Sequence, residues 1–240
     1  MRLPAAIYLI VVSVMACLAP PRSATAQTIV LLVNGEPVIS HDLVQRMLYR
    51  NLTGSPNRAN AFVERVNAVL TNDGKIKEKA RQMQDSLHPR TQAEAQKAAE
   101  RIKKALIEDA MWQVLSRDGA AKNAVTEAVI GDRLKLQAAK RFGIDITDEQ
   151  VEKSIIVDRL AAGDVYAGMP EMNAFYARRE EYGINRKTIR EIMRAELAWR
   201  AVINRIYGAA TGWESTGAYE SFSLSYLGIL RQHALIEHRG

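Results

Sequence analysis

The stretch Phe142-Gly143-Ile144-Asp145-Ile146-Thr147-Asp148-Glu149-Gln150-Val151 contains one helix stop and one helix start. Gly followed by an apolar residue is the ending of a helix whose cap needs left-handed backbone and a contact back onto its last turn. Thr147 with Gln150 three positions later is a capping box, because each side chain can satisfy a backbone donor that the other leaves free. Ile146 and Val151 are placed to staple around it. The spacing therefore predicts one helix running toward Phe142 and a second starting near Asp148. Val125, Val129, Ile130, Leu134 and Leu136 supply the apolar positions of the first helix. Val151, Ile155, Ile156 and Leu160 supply those of the second, which Gly163 stops. Pro170 suits the first turn of a third helix carrying Met172, Phe175, Tyr176 and Tyr182, closed by a second Gly-Ile pair at Gly183-Ile184. Asn185 can cap a long fourth helix with Ile189, Ile192, Met193, Leu197, Ile203 and Ile206 on its inner side.

Composition agrees with a mostly α fold. Of 240 residues 48% are hydrophobic and only 6% aromatic, which argues against a sandwich or barrel of aromatic and β-branched strands. Lys and Arg number 33 against 27 Asp and Glu, a formal charge of +6. The excess is spread along the chain without a dense basic block, so no nucleic-acid partner is expected.

The first 26 residues read as a signal peptide. Arg2 precedes an apolar run to Leu18, and Ala24-Thr25-Ala26 has the small-x-small form that signal peptidase accepts. Cleavage between Ala26 and Gln27, marked by Ala24 at the outer small position, would leave a soluble periplasmic chain. The alternatives are a retained anchor or acylation of Cys17, since Val14-Met15-Ala16-Cys17 resembles a lipoprotein box. Cys17 is the single cysteine, so a chain starting at Gln27 has no disulfide and no thiolate chemistry. No later segment is apolar enough to insert stably in a membrane.

Thr28 to Val33 is a short β-branched run, and Asn34-Gly35 before Glu36-Pro37-Val38-Ile39 is a strong hairpin signal because both turn residues tolerate positive φ. Ser40 can then cap a helix with Leu43, Val44, Met47 and Leu48 on one face. Residues 51–60 are rich in Gly, Pro, Ser and Asn and read as a loop. A helix through Phe62, Val66, Val69 and Leu70 falters at Asn72-Asp73-Gly74, and Ser86-Leu87-His88-Pro89 breaks the chain again. A long helical stretch from Thr91 to Leu115 presents a charged face that reads as solvated surface. Residues 208–221 are small and polar and read as a linker. The tail, 222–240, holds a helix and a short strand.

No phosphate-binding Gly-rich loop, nucleophile elbow or HExxH string occurs, and His41, His88, His233 and His238 are scattered without ligand spacing. No catalytic residue, cofactor or metal site is expected.

The second half resembles a known family in the order of its pieces. These are Leu134-Lys135-Leu136-Gln137-Ala138-Ala139-Lys140-Arg141-Phe142-Gly143-Ile144, the capping box, Met169-Pro170-Glu171-Met172 through Tyr182-Gly183-Ile184, and Thr188-Ile189-Arg190-Glu191-Ile192-Met193. Together with the opening Ile29 to Leu43 and the tail Arg231 to Arg239, they resemble the N-terminal domain of the SurA family of periplasmic chaperones, in its α-proteobacterial form. The resemblance implies a helical domain over 27–207 with a small β element, formed by N-terminal strands and a strand from 222–240. It also implies ATP-independent binding of unfolded outer-membrane proteins in a groove of apolar and Met side chains. Leu160, Met169, Met172, Phe175, Tyr176 and Met193 are the candidates for that groove, Met being adaptable to many sequences. The same spacing also suits ordinary core residues.

The departures matter. The parvulin-type prolyl isomerase domain that the family carries before its C-terminal segment is missing, so no isomerase activity is expected. Residues from 51 to about 122 exceed the family's connection and suggest an inserted helical hairpin. A periplasmic adaptor that keeps the scaffold and docks through this insert, without holding clients, is the competing expectation.

Overall fold

The computed structural model describes residues 28–52, 56–86, 89, 91–161, 180, 183–210 and 216–239. The cleavage residues Ala24, Ala26 and Gln27, the acylation candidate Cys17 and the expected helix after Pro170 lie outside these.

Strands β1 (Ile29–Val33) and β2 (Glu36–Ile39) form the expected hairpin. Asn34 and Gly35 both take positive φ, 51° and 83°, the backbone of a tight turn whose twist matches that of the strands. β2 lies at a sheet edge with Pro37 opposite Leu32, where the missing N–H of proline costs no ladder bond. The other side of β1 pairs antiparallel with β3 (Ile236–His238), Val33 facing Ile236 and Leu31 facing His238. Asn34 fixes this register twice, donating its backbone N–H to the Leu235 carbonyl and accepting the Leu235 N–H on Oδ1, both at 2.9 Å. The sheet order is β2-β1-β3. Three strands with one buried face meet the minimum for a stable small sheet, which the hairpin alone would not.

Eight helices complete the described architecture: α1 (Ser40–Leu52), α2 (Pro56–Asn72), α3 (Gly74–Asp85), α4 (Gln92–Arg117), α5 (Gly119–Arg141), α6 (Asp148–Ala161), α7 (Arg186–Ala210) and α8 (Thr216–His233). The chain divides into two compact units, one of residues Asn51–Ala121 and one of Ile29–Arg50 with Lys122–Gly240.

In the first unit, α2 and α3 both pack on α4. Phe62, Val66, Val69, Ile76, Ile102, Met111, Val114 and Leu115 are buried there. The segment is thus a three-helix unit in place of the expected hairpin. The loop expected over 51–60 is also corrected, since helix begins at Pro56, whose fixed φ suits a first helical position. Asp73 caps α3, accepting the N–H groups of Lys75 at 2.9 Å and Ile76 at 3.4 Å. Asp118 ends α4 and caps α5, accepting the Ala121 N–H at 2.9 Å.

In the second unit the decisive stretch folds as the sequence dictates. Ile144 N–H reaches the Ala139 carbonyl at 2.9 Å and Gly143 N–H that of Lys140 at 3.1 Å, with Gly143 at φ 65°, the two bonds of a Schellman ending. Thr147 N–H donates to Gln150 Oε1 at 2.9 Å while Gln150 N–H donates to Thr147 Oγ1 at 3.2 Å. Asn185 caps α7 by accepting the Lys187 N–H at 2.8 Å. At α1 the cap differs: Ser40 is already helical, and Asp42 Oδ2 reaches back to the Ile39 N–H at 3.3 Å.

The linker expected over 208–221 is largely helix, α7 continuing to Ala210 and α8 starting at Thr216. Packing outweighs the weak helix propensity of its Gly and Ser. Trp199 stacks on Tyr226, ring centroids 5.7 Å apart, and donates its indole N–H to Ser223 Oγ at 2.8 Å. Tyr226 stacks in turn on Phe222 at 6.1 Å, and Tyr207 meets Tyr219 and Phe222 at 5.8 and 5.3 Å.

Candidate functional site

The residues that the resemblance assigns to client binding divide sharply. Met169, Met172, Phe175 and Tyr176 lie outside the described residues. Leu160 belongs to α6. Met193 lies on α7 with Ile189 and Ile192, and all three are buried. Met193 is therefore a core side chain and not an open groove position, the outcome that its helical spacing also allowed. The flank of α7 facing α6 is closed by ion pairs: Arg190 Nη2 lies 2.8 Å from Asp148, Arg190 Nε 3.2 Å from Glu152, and Arg194 also pairs with Asp148.

Two polar arrangements within this unit were not legible as such. Gln45 is a buried polar residue. Its Nε2 donates to the Gly183 carbonyl at 2.9 Å and its Oε1 accepts the Asn185 N–H at 2.7 Å. One amide thus fastens α1 to the turn that launches α7. Gly183 takes φ 84° at this turn, and beside it Ile184 is fully enclosed. Replacing Gln45 by Leu keeps the volume but removes both part-buried hydrogen bonds, so a loss of about 1 kcal/mol is expected. Urea unfolding of the variant, with an unchanged m-value, measures it; a midpoint equal to that of the parent would contradict the clamp.

The second arrangement is a charge network between α1, α5 and α7. Arg46 Nε lies 3.1 Å from Asp132 Oδ2, and Lys135 Nζ 3.9 Å from Asp132 Oδ1 and 2.5 Å from Glu196. Arg133 pairs with Asp42 at 3.2 Å. The Arg46 Nε–H has no aligned acceptor, so its link to Asp132 is an ion contact. The same guanidinium lies 5.5 Å over the Tyr49 ring, which favours a cation there. Burial pushes the Asp132 carboxyl up from 3.8 to about 6, and Glu196 adds to the rise, while Arg46, Lys135 and Arg133 pull it down. An acid, a lysine and a second acid in sequence could shuttle a proton, but Asp132 and Lys135 are enclosed by the helix packing and the group faces no described cavity. Its chemistry is that of a fastening. Asp132 sits in Ile130-Gly131-Asp132-Arg133-Leu134, and an acid inside an apolar helical run is the signal that could have found it.

In the first unit, Asn72, Asp73, Gly74, Lys75, Gln113, Ser116 and Arg117 line a shallow polar recess. In it Arg117 Nη2 bonds Asp73 Oδ2 and Gln113 Oε1, each at 3.1 Å. Among the described residues no group of three or more His, Cys, Asp or Glu is placed to hold a metal, and no helix is long and apolar enough to cross a membrane.

Among the described residues the large apolar side chains left exposed are Ile29, Leu224, Ile229 and Leu235. Leu224 and Ile229 belong to α8, and Leu235 follows it directly. Leu224 and Leu235 read in the sequence only as apolar positions of the tail's helix and strand, because a single exposed Leu carries no pattern of its own. Comparison of the chain with family models, curated proteins and solved structures found no match.

Proposed function

We propose that this protein is an ATP-independent, non-enzymatic binder of unfolded polypeptides in the bacterial periplasm, with outer-membrane proteins as clients and no prolyl isomerase activity. The observation that carries the reading is the sheet, in which a strand from the end of the chain pairs with the opening hairpin, the closure that the resemblance to SurA-type chaperone domains implies. The Schellman ending, capping box and Asn cap follow in the order of that resemblance and support it further. A protein built this way works by binding. Many weak apolar contacts to an extended client give micromolar strength, on the order of −7 to −8 kcal/mol, because ordering the client offsets much of the burial.

A denatured β-barrel protein diluted into buffer with a few-fold excess of the chain from Gln27 onward is expected to scatter less light than in buffer alone. Photo-crosslinkers at Leu160, Met169, Met172, Phe175 and Tyr176 are expected to capture the client, and one at the buried Met193 is not. Undiminished aggregation without crosslinks would leave the adaptor reading in its place.

A further inference from the structure

The outer face of α8 is exposed. Along its centre run Gly217, Ser221, Leu224, Gly228 and Gln232, and none carries a charge. Leu224 is 71% exposed, and Ile229 beside this row is 49% exposed. A Cβ built on Gly217 or Gly228 would meet nothing within 4 Å. One turn after a protruding leucine the helix therefore offers an empty, flat position.

We propose that this face is the contact between two copies of the chain, packed as antiparallel α8 helices about a two-fold axis at the level of Tyr226. Two-fold packing requires a face that is its own complement, and this one is. In that register Leu224 of one copy lies over Gly228 of the other, so the bulky group meets a glycine that lets the backbones approach. Charge follows the same symmetry. Glu220 and Arg231 share one flank of the helix, six residues before the axis and five after it, so each copy's Glu220 meets the other's Arg231 at both ends of the contact. Arg231 is held in place by its bonds to Glu127 at 3.0 and 3.1 Å, and its side chain retains 37% exposure. The centre of the face brings no like charges together in a chain of formal charge +6. An 18-residue helix is about 27 Å long. One such face buries less than the roughly 1,200 Å² of a stable interface, so the pair is transient. The proposal does not rest on client binding.

Sedimentation equilibrium of the chain from Gln27 onward tests it, between roughly 1 µM and 1 mM, the span of weak association. The mass is expected to rise from one chain toward two. Gly228→Glu places charge in the hollow and is expected to weaken association at least tenfold. Its unfolding midpoint should be unchanged or raised, because glycine is the poorer helix former at this open position. Ser225, next to the axis, comes within disulfide reach of its counterpart. Ser225→Cys is accordingly expected to give a crosslinked dimer under mild oxidation, and Ser116→Cys on α4 is not. A single-chain mass at every concentration, a dimer indifferent to Gly228→Glu, or equal crosslinking of both cysteines would each overturn the proposal.

Discussion

Deleting residues 226–240 is expected to lower the thermal midpoint by more than about 10 °C, corresponding to a loss of about 5 kcal/mol for a domain of this size. The deletion removes β3, and with it the Leu235 bonds to Asn34 and the 2.8 Å bond from the Arg239 N–H to the Val30 carbonyl. It strips Tyr226 from the Trp199 ring, together with Leu227 and Leu230, which pack on the cluster of Ala138, Ala139, Ala198, Trp199, Val202 and Ile203. The paired guanidinium of Arg231 also leaves Glu127, whose carboxyl that pair holds below its ordinary range. A hairpin without its third strand is marginal, so the near-ultraviolet signal of Trp199 should flatten along with the transition. An unchanged melt would show that α8 and β3 are accessory to the fold.

The second large effect is a pH dependence with an unusual sign. The Asp132 carboxyl titrates at about 6 when folded against an ordinary 3.8. The folded chain therefore binds more protons than the unfolded one between these values, and stability falls as pH rises through that window. The two-unit rise corresponds to about 3 kcal/mol in all, of which about 2 kcal/mol falls between pH 4.5 and 7. Asp73, Glu127 and Glu149 act in the opposite sense, because their folded pKa values are lowered. Their contribution is lost as pH falls through and below the ordinary carboxylate range, so it opposes Asp132 only at the acid end of its window. Asp132→Asn cannot titrate, so its stability curve is expected to lack the decline between pH 4.5 and 7 that the parent shows. All other groups are shared by the two proteins, and the difference between the two curves isolates Asp132. Parallel curves would remove the buried acid from the account.

What the sequence made legible was local. The Gly143 stop, the Thr147 box, the Asn34-Gly35 turn and the Asp73 break each involve groups within five residues of one another, and side-chain chemistry decides them. The third strand was legible through the resemblance, since Ile236-Glu237-His238 carries no strand pattern strong enough alone. Segments decided by distant partners were misread. Residues 216–221 have linker composition, yet the rings of Tyr207 and Trp199 hold the following helix in place. Pro56 to Asn60 look like loop, yet Phe62, Val66 and Val69 bury their face against α4. The clamp made by Gln45 was hidden for the same reason, because its partners at Gly183 and Asn185 stand 138 and 140 positions away.

The sheet also sets a timetable. β1 is among the first elements to be made, but the strand that completes it comes last, with Asn34 and Leu235 separated by 201 positions. During synthesis the hairpin has nothing to close on, and the cluster around Trp199 must wait for Tyr226. The second unit therefore reaches its final state only after β3 has emerged. Until α8 and β3 are released, Asn34 and the Trp199 cluster lack the partners that lock them in the finished fold.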